Sequence, residues 1–201
     1  IALIALNIRD LYPTLEETIR HAAFQVGSII TTTGYATTDF DLWPSFSKAI
    51  LMMLMMVGAC AGSTGGGMKV ARLLLLLKSL RRNIRQVLHP STVRVIRSNG
   101  SVVDETVVRN TNAYLAAYVL IMVVSVILIS LDGFSVTTNI TAVFACFNNI
   151  GPGLELVGPT ANFAFFSPFT KIVLIFDMLA GRLELFPILM LLSPSAYKKH
   201  A

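Results

Sequence analysis

Residues Asn110 to Leu131 read NTNAYLAAYVLIMVVSVILISL, an uncharged and mostly apolar run. At 1.5 Å per residue it is long enough to cross the roughly 30 Å hydrocarbon core of a bilayer. Such a segment must be helical, because lipid offers no partner to backbone N–H and C=O groups. The remaining sequence agrees with a membrane setting: 54% of residues are hydrophobic and 13% charged, against about 25% charged in an ordinary soluble domain. Mean hydropathy is +0.70. Cys60 and Cys146 both sit in apolar surroundings and read as small buried hydrophobes, not as a disulfide or metal pair. Ile1 is not a start methionine, and the apolar run Ile1 to Ile8 is too short to cross, so the chain is expected to begin partway through a longer protein.

Charge then orients the segments. The net charge is +5, and the basic residues concentrate between Lys69 and Arg109: Lys69, Arg72, Lys78, Arg81, Arg82, Arg85, Arg94, Arg97 and Arg109 face only Asp104 and Glu105. The positive-inside rule makes this connection cytoplasmic, along with the tail Lys198-Lys199-His200. A nucleic-acid surface is disfavoured, because interleaved aromatics are missing and membrane helices flank the segment. Asn99-Gly100 predicts a hairpin turn between extended arms at Thr92–Ile96 and Val102–Val108. The acidic stretches, with Asp10, Glu16, Glu17, Asp39, Asp41 and Glu155, belong outside, with Trp43 at an interface and the acids drawing cations to a pore mouth. Glu16 and Glu17 are adjacent and point apart, His21, His89 and His200 lack metal-ligand spacing, and no nucleophile is set beside a base, so enzymatic chemistry is not expected.

Two segments are too short to cross and must turn back. Thr18 to Ile30 (TIRHAAFQVGSII) follows a helix start at Pro13-Thr14 and runs into Thr31-Thr32-Thr33-Gly34-Tyr35-Ala36. By itself TTTG also fits a turn at the end of a strand. After a re-entrant helix it has the layout of an ion-selectivity filter: the helix dipole aims its negative end at the loop, carbonyl oxygens replace a cation's hydration shell, and Gly allows the dihedrals that align them. Thr137 to Asn148 is the second such segment and leads into Asn149-Ile150-Gly151-Pro152-Gly153. Between them, Phe46 to Val57 begins a membrane helix, Gly58 to Lys69 (GACAGSTGGGMK) breaks it, and Val70 to Leu80 resumes it. Irregular backbone at membrane depth survives only where it lines water or is buried in protein, which puts this loop in a permeation path. A phosphate-binding loop fails, since Lys69 is not preceded by the required Gly nor followed by Ser or Thr. Helix packing through the G-x-x-x-G of Gly58 and Gly62 leaves Gly65, Gly66 and Gly67 unexplained.

The two halves share one plan. Phe46-Ser47-Lys48 aligns with Phe169-Thr170-Lys171, the same offset sets Gly58 on Gly181, and Gly34 matches Gly151 once the second outer loop is allowed six extra residues. Internal repeats of this kind build a pseudo-symmetric site around one axis. The predicted fold is all-α and integral to the membrane, built from repeated units of helix, re-entrant pore helix, filter loop and helix, as in potassium channels. Residues 1–88 form one unit, 89–109 the cytoplasmic connection, and 110–201 the next unit with its tail.

Four motifs, ITTTGYATTD, GSTGGGMK, NNIGPGLELVGP and the GRLELFP of Gly181 to Pro187, together resemble the TrkH branch of the Trk/Ktr/HKT superfamily of potassium transporters, over essentially the whole chain. In that family four repeats surround one pore, so this chain resembles the third and fourth, and alone it is not expected to conduct. The resemblance implies K+ as the transported ion, with ligands on Thr32, Thr33, Asn149 and Ile150 beside Gly34 and Gly151. It implies a gate from Gly62, Ser63, Thr64, Gly65, Gly66, Gly67 and Lys69 together with Arg182. It further implies a bacterial inner-membrane location with filter loops outside, a homodimer, and a cytoplasmic nucleotide-binding regulatory subunit docking on the basic segments. The expected partners are thus the remaining repeats, a second copy, that subunit and membrane lipid, with no nucleic acid.

Arg182 lies deep in a spanning segment, where an unpaired guanidinium costs about 2.5–3.5 kcal/mol. A salt bridge to Asp177 or Glu184 is one reading, although neither is three or four residues away. A positive barrier below the filter is the other. Lys48 and Lys171 near the outer ends read as snorkelling side chains, and Lys69 near the inner one reads as a second barrier or another snorkelling tip. Asn149 and Ile150 in place of Thr and Val predict looser discrimination among monovalent cations. A rival function, from a different class, is a non-conducting membrane adaptor that reuses the fold to bind a partner.

Overall fold

A computed structural model describes residues 1–58, 63, 65–89, 95–98 and 101–182. The short helix α1 (Ala2–Asn7) leads through a 3-10 turn at Arg9–Leu11 into α2 (Leu15–Ile30). Thr14 starts α2 by accepting the Glu17 N–H at 3.2 Å, and Glu16 and Glu17 occupy the positive first turn. Next, α3 (Ser45–Met56) stops where the glycine loop begins. Val57–Gly58 (β1) pairs in parallel with Met68–Lys69 (β2), so the loop leaves and returns at one point. The chain resumes in α4 (Val70–Leu88). Cys60, Gly62, Thr64, Glu184 and the tail lie outside the described residues.

A second small pair, Arg97–Ser98 (β3) against Ser101–Val102 (β4), is antiparallel with Arg97 opposite Val102; its first strand begins after the arm expected to end at Ile96, and the turn Asn99-Gly100 and residues 92–94 lie outside the described residues. Its second arm is shorter than the sequence predicts. Asp104 accepts the Thr106 N–H at 3.0 Å and so caps α5 (Glu105–Ile129), which takes Val107 and Val108 into a helix. The segment expected as a connection over 89–109 therefore already contains the first turn of α5. With the 3-10 turn Ser130–Asp132, α5 makes a 28-residue segment of mean hydropathy 2.6, alone among the described residues in being long and apolar enough to span a membrane. It is followed by α6 (Val136–Phe147) and α7, described over Pro168–Arg182.

Each half has its own core. Ile4, Ala22, Phe40, Trp43 and Leu51 gather between α1, α2 and α3, while Tyr118, Met122, Phe147 and Leu174 gather between α5, α6 and α7. Ile150 and Leu154 of the second half insert into the first core, which locks the two halves together at the predicted filter. Trp43 is not an interfacial anchor: its ring is buried at 3% exposure and its Nε1–H donates to the Tyr12 hydroxyl at 3.0 Å. The repeat extends to side chains. Ser47 and Thr170 are both fully buried, and Lys48 and Lys171 each donate from Nζ to the carbonyl seven residues earlier, Asp41 at 3.0 Å and Ala164 at 2.8 Å. These lysines tether the loops before α3 and α7 instead of snorkelling.

Candidate cation site

The two re-entrant helices end in the same way. At the end of α2 the Thr32 N–H bonds Ile29 C=O at 3.1 Å and the Thr33 N–H bonds Ser28 C=O at 2.8 Å. At the end of α6 the Asn149 N–H bonds Cys146 C=O at 3.0 Å and the Ile150 N–H bonds Ala145 C=O at 2.9 Å. Both are Schellman caps, and both put the residue after the cap in the left-handed region, Thr32 at φ 54° and Asn149 at φ 55°. Asn accepts this conformation readily, whereas a β-branched Thr there is strained by roughly 1–3 kcal/mol. Neighbouring bonds hold it: Thr31 and Thr33 hydroxyls share a hydrogen bond of 2.8 Å, and the Ser28 hydroxyl donates to the Tyr35 carbonyl at 2.6 Å. Gly34 and Gly151 follow at φ 78° and 111°.

Left-handed turns spaced in this way free a row of carbonyls. Among the described residues, none donates a hydrogen bond to the carbonyls of Thr32, Thr33, Gly34, Asn149, Ile150 or Gly151. Thr32, Thr33, Asn149, Ile150 and Gly151 line one cleft of about 620 Å³, together with Ala145, Cys146 and part of α7. Gly34 backs onto the same place, where an added Cβ would overlap the Ile150 carbonyl oxygen and stand 3.3 Å from Pro152 Cδ. All six residues predicted for the filter therefore converge, with the C-terminal ends of α2 and α6 adding partial negative charge. The arrangement can hold a desolvated monovalent cation by carbonyl dipoles. No group of three or more carboxylate, imidazole or thiol side chains suited to a divalent metal occurs among the described residues.

Beneath the loops, the predicted gate elements press on the base of α6. A Cβ on Gly181 would overlap the Phe147 carbonyl, and one on Gly66 would overlap the Asn148 carbonyl. Gly67 stands against the Asn148 side chain. Arg182 thus begins one residue from the deepest point of the re-entrant loop. It is exposed and makes no ion pair among the described residues. Asp177 is not its partner: that carboxylate is fully buried and accepts the Ser125 hydroxyl at 2.7 Å. Lys69 is half-buried at the end of β2, and Ser63 accepts the Gly65 N–H at 3.0 Å.

Three features of the site escape sequence reasoning. The buried Tyr118 hydroxyl donates to Asn148 Oδ1 at 2.7 Å, while Asn148 Nδ2 donates to Phe144 C=O at 2.9 Å, so α5 holds the base of the loop after α6. Asn149 Nδ2 donates to Met178 C=O at 3.1 Å and ties the loop to α7. The only signal for these was polarity at Tyr118, Ser125 and Asn148 within apolar runs. The carboxylates expected to lie outside also have structural partners. Asp39 accepts the Asp41 N–H at 3.0 Å, Asp41 lies 3.6 Å from Lys48 Nζ, and Glu16 lies 3.5 Å from Arg20. Glu155 accepts from the Ser135 and Thr138 hydroxyls at the start of α6, and those hydrogen bonds hold its carboxyl below the usual range.

Comparison with known proteins follows the same lines. A family model for TrkH, described as a cation transport protein, matches residues 12–200. The chain is 36% identical over 99% of its length to the Trk system potassium uptake protein TrkH of Salmonella typhimurium. It is 39% identical over 93% of its length to that of Vibrio parahaemolyticus. These alignments cover 41% and 38% of the two relatives, so the chain spans well under half their length. The crystal structure of the potassium transporter TrkH from Vibrio parahaemolyticus superposes with a TM-score of 0.89 at 37% identity, covering 98% of this chain and 42% of that one.

Proposed function

The chain belongs to the TrkH family of cation transport proteins, and on that premise we propose that it supplies two quarters of a potassium-conducting pore. The observation that carries this reading is the row of carbonyls on Thr32, Thr33, Gly34, Asn149, Ile150 and Gly151 that take no donor among the described residues, set by matched left-handed turns around one cleft. A potassium ion entering from the acidic outer face exchanges water for these carbonyls and the dipoles of α2 and α6. Two further repeats of the same protein complete the ring. Residues 1–88 and 110–201 act as the two repeat units and 89–109 as the cytoplasmic link.

Gating falls to the loop Gly62–Gly67 with Lys69 and to Arg182. Their contact with the base of α6, through Gly66 and Gly181, supports this assignment. A guanidinium below the filter raises the energy of a passing cation, and displacing the glycine loop clears the path. The protein acts in the bacterial inner membrane with its filter loops outside, as a homodimer, and a nucleotide-binding regulatory subunit on the cytoplasmic side moves the loop. The relatives' names as Trk system proteins support such a partner. The test is potassium and rubidium flux by the complete protein in proteoliposomes. Flux of both ions, abolished by disturbing Gly34, is expected; absence of flux with the regulatory subunit present, or strict rejection of rubidium, contradicts the reading.

A further inference from the structure

Beyond the pore, the basic segment also contains a cavity. The α4 side chains Lys78, Arg81, Arg82 and Arg85 share one face of the helix and, with Val95, Ile96 and Arg97, line a cavity of about 230 Å³. Arg82 is neutralised there by two hydrogen bonds to the Glu105 carboxylate at 2.6 and 2.8 Å. Lys78 Nζ donates to the Arg97 carbonyl at 2.8 Å, which closes the wall but leaves its charge unpaired among the described residues. Arg81 and Arg85 make no ion pair among the described residues. Among the described residues, five cations around one small cavity, with the Glu105 carboxylate already taken by Arg82, repel one another unless an anion joins them.

Depth and neighbouring surface identify the anion's source. Counting about 20 residues inward along α5 from its outer end at Leu131 reaches Asn112, and Glu105 lies roughly 10 Å further, at headgroup level. The Arg82–Glu105 pair fixes the cavity at that same level. Beside the basic face, α4 exposes an apolar stripe of Leu74, Leu77, Ile84 and Val87, at 52–80% exposure. A phosphate in the cavity and acyl chains along this stripe satisfy both surfaces.

We propose that this cavity binds the phosphate of an anionic phospholipid from the cytoplasmic leaflet. The proposal rests on the inward orientation of α4 given above but not on conduction, and lipid binding is read without flux. The experiment is native mass spectrometry of the complete protein exchanged into mixed phosphatidylglycerol and phosphatidylcholine, with inorganic pyrophosphate as a soluble competitor. The wild type should retain phosphatidylglycerol selectively. Arg81→Gln with Arg85→Gln should weaken that retention roughly 30-fold, at about one kcal/mol per basic residue. Arg81→Lys with Arg85→Lys should keep most of it, and Arg9→Gln, in the exposed turn after α1, should leave it unchanged. Equal retention by the Gln double variant overturns the proposal, as does an equal loss in Arg9→Gln. Pyrophosphate binding that depends on Arg81 and Arg85 while lipid retention does not would assign the cavity to a soluble phosphate and overturn the lipid. Retention that needs an added protein partner also overturns it.

Discussion

Replacing glycines one at a time by alanine separates the filter's geometry from simple helix stability. Gly27, in α2, has nothing within 4 Å of an added Cβ, so Gly27→Ala should stabilise the helix by about 0.4–1 kcal/mol and leave flux unchanged. Gly151 also has open space but sits at φ 111°, so Gly151→Ala meets backbone strain of about 1–3 kcal/mol. Gly34 combines φ 78° with a Cβ that would overlap the Ile150 carbonyl. Strain of about 1–3 kcal/mol and overpacking of about 1–3 kcal/mol then sum to roughly 2–6 kcal/mol. The relief open to the chain is to move the Ile150 carbonyl, which is a proposed ligand. Thermal unfolding of the complete protein in detergent measures the stability order, and potassium flux in proteoliposomes measures the consequence. Gly34→Ala should lose nearly all flux in protein that still folds, Gly151→Ala should lose part, and Gly27→Ala none. Wild-type flux in Gly34→Ala, at equal amounts in the membrane, refutes the claim that these turns set the conducting geometry.

Three further changes probe the supporting structure. Arg182→Ala should raise potassium leak measured without the regulatory subunit; unchanged or lower leak in folded protein counts against a positive barrier. Tyr118→Phe leaves Asn148 Oδ1 buried without its donor and should destabilise by about 1–3 kcal/mol, with altered potassium-to-sodium flux ratio, as measured by unfolding and ion competition. Because the Ser135 and Thr138 hydroxyls hold Glu155 below the usual carboxyl range, its contribution is complete above the unfolded value and is lost as pH falls through the lower folded one. Glu155→Gln should therefore flatten the acid side of the melting-temperature profile, and an unchanged acid slope refutes the role given to this bond.

Much of the fold was legible because membrane burial leaves few solutions for a short apolar segment. The ends of α2 and α6 and the break after α3 followed from segment length and glycine placement, and the repeat from Phe46-Ser47-Lys48 matching Phe169-Thr170-Lys171. Thr32, Thr33, Gly34, Asn149, Ile150 and Gly151, the residues expected to form a filter, lie close together in the structure. What stayed hidden depends on partners far away in sequence or on local competition. Lys48 and Lys171 carry no mark distinguishing a loop tether from a snorkelling tip. Val107 and Val108 have strand-like composition, yet the Asp104 cap and the packing of α5 on α4 made them helical. Trp43 reads as interfacial until Tyr12, brought near by α1 and α2, supplies a part-buried acceptor. The Ser125–Asp177 and Tyr118–Asn148 bonds join different helices, so no spacing within one segment announces them.

Binding of the transported ion by the carbonyls of Thr32, Thr33, Asn149 and Ile150 is tested by anomalous X-ray diffraction from crystals of the complete protein soaked in rubidium. Rubidium peaks are expected on the pore axis within coordination distance of these carbonyls and lost in Gly34→Ala. A filter without rubidium at saturating concentration, or peaks confined to other positions, would contradict it.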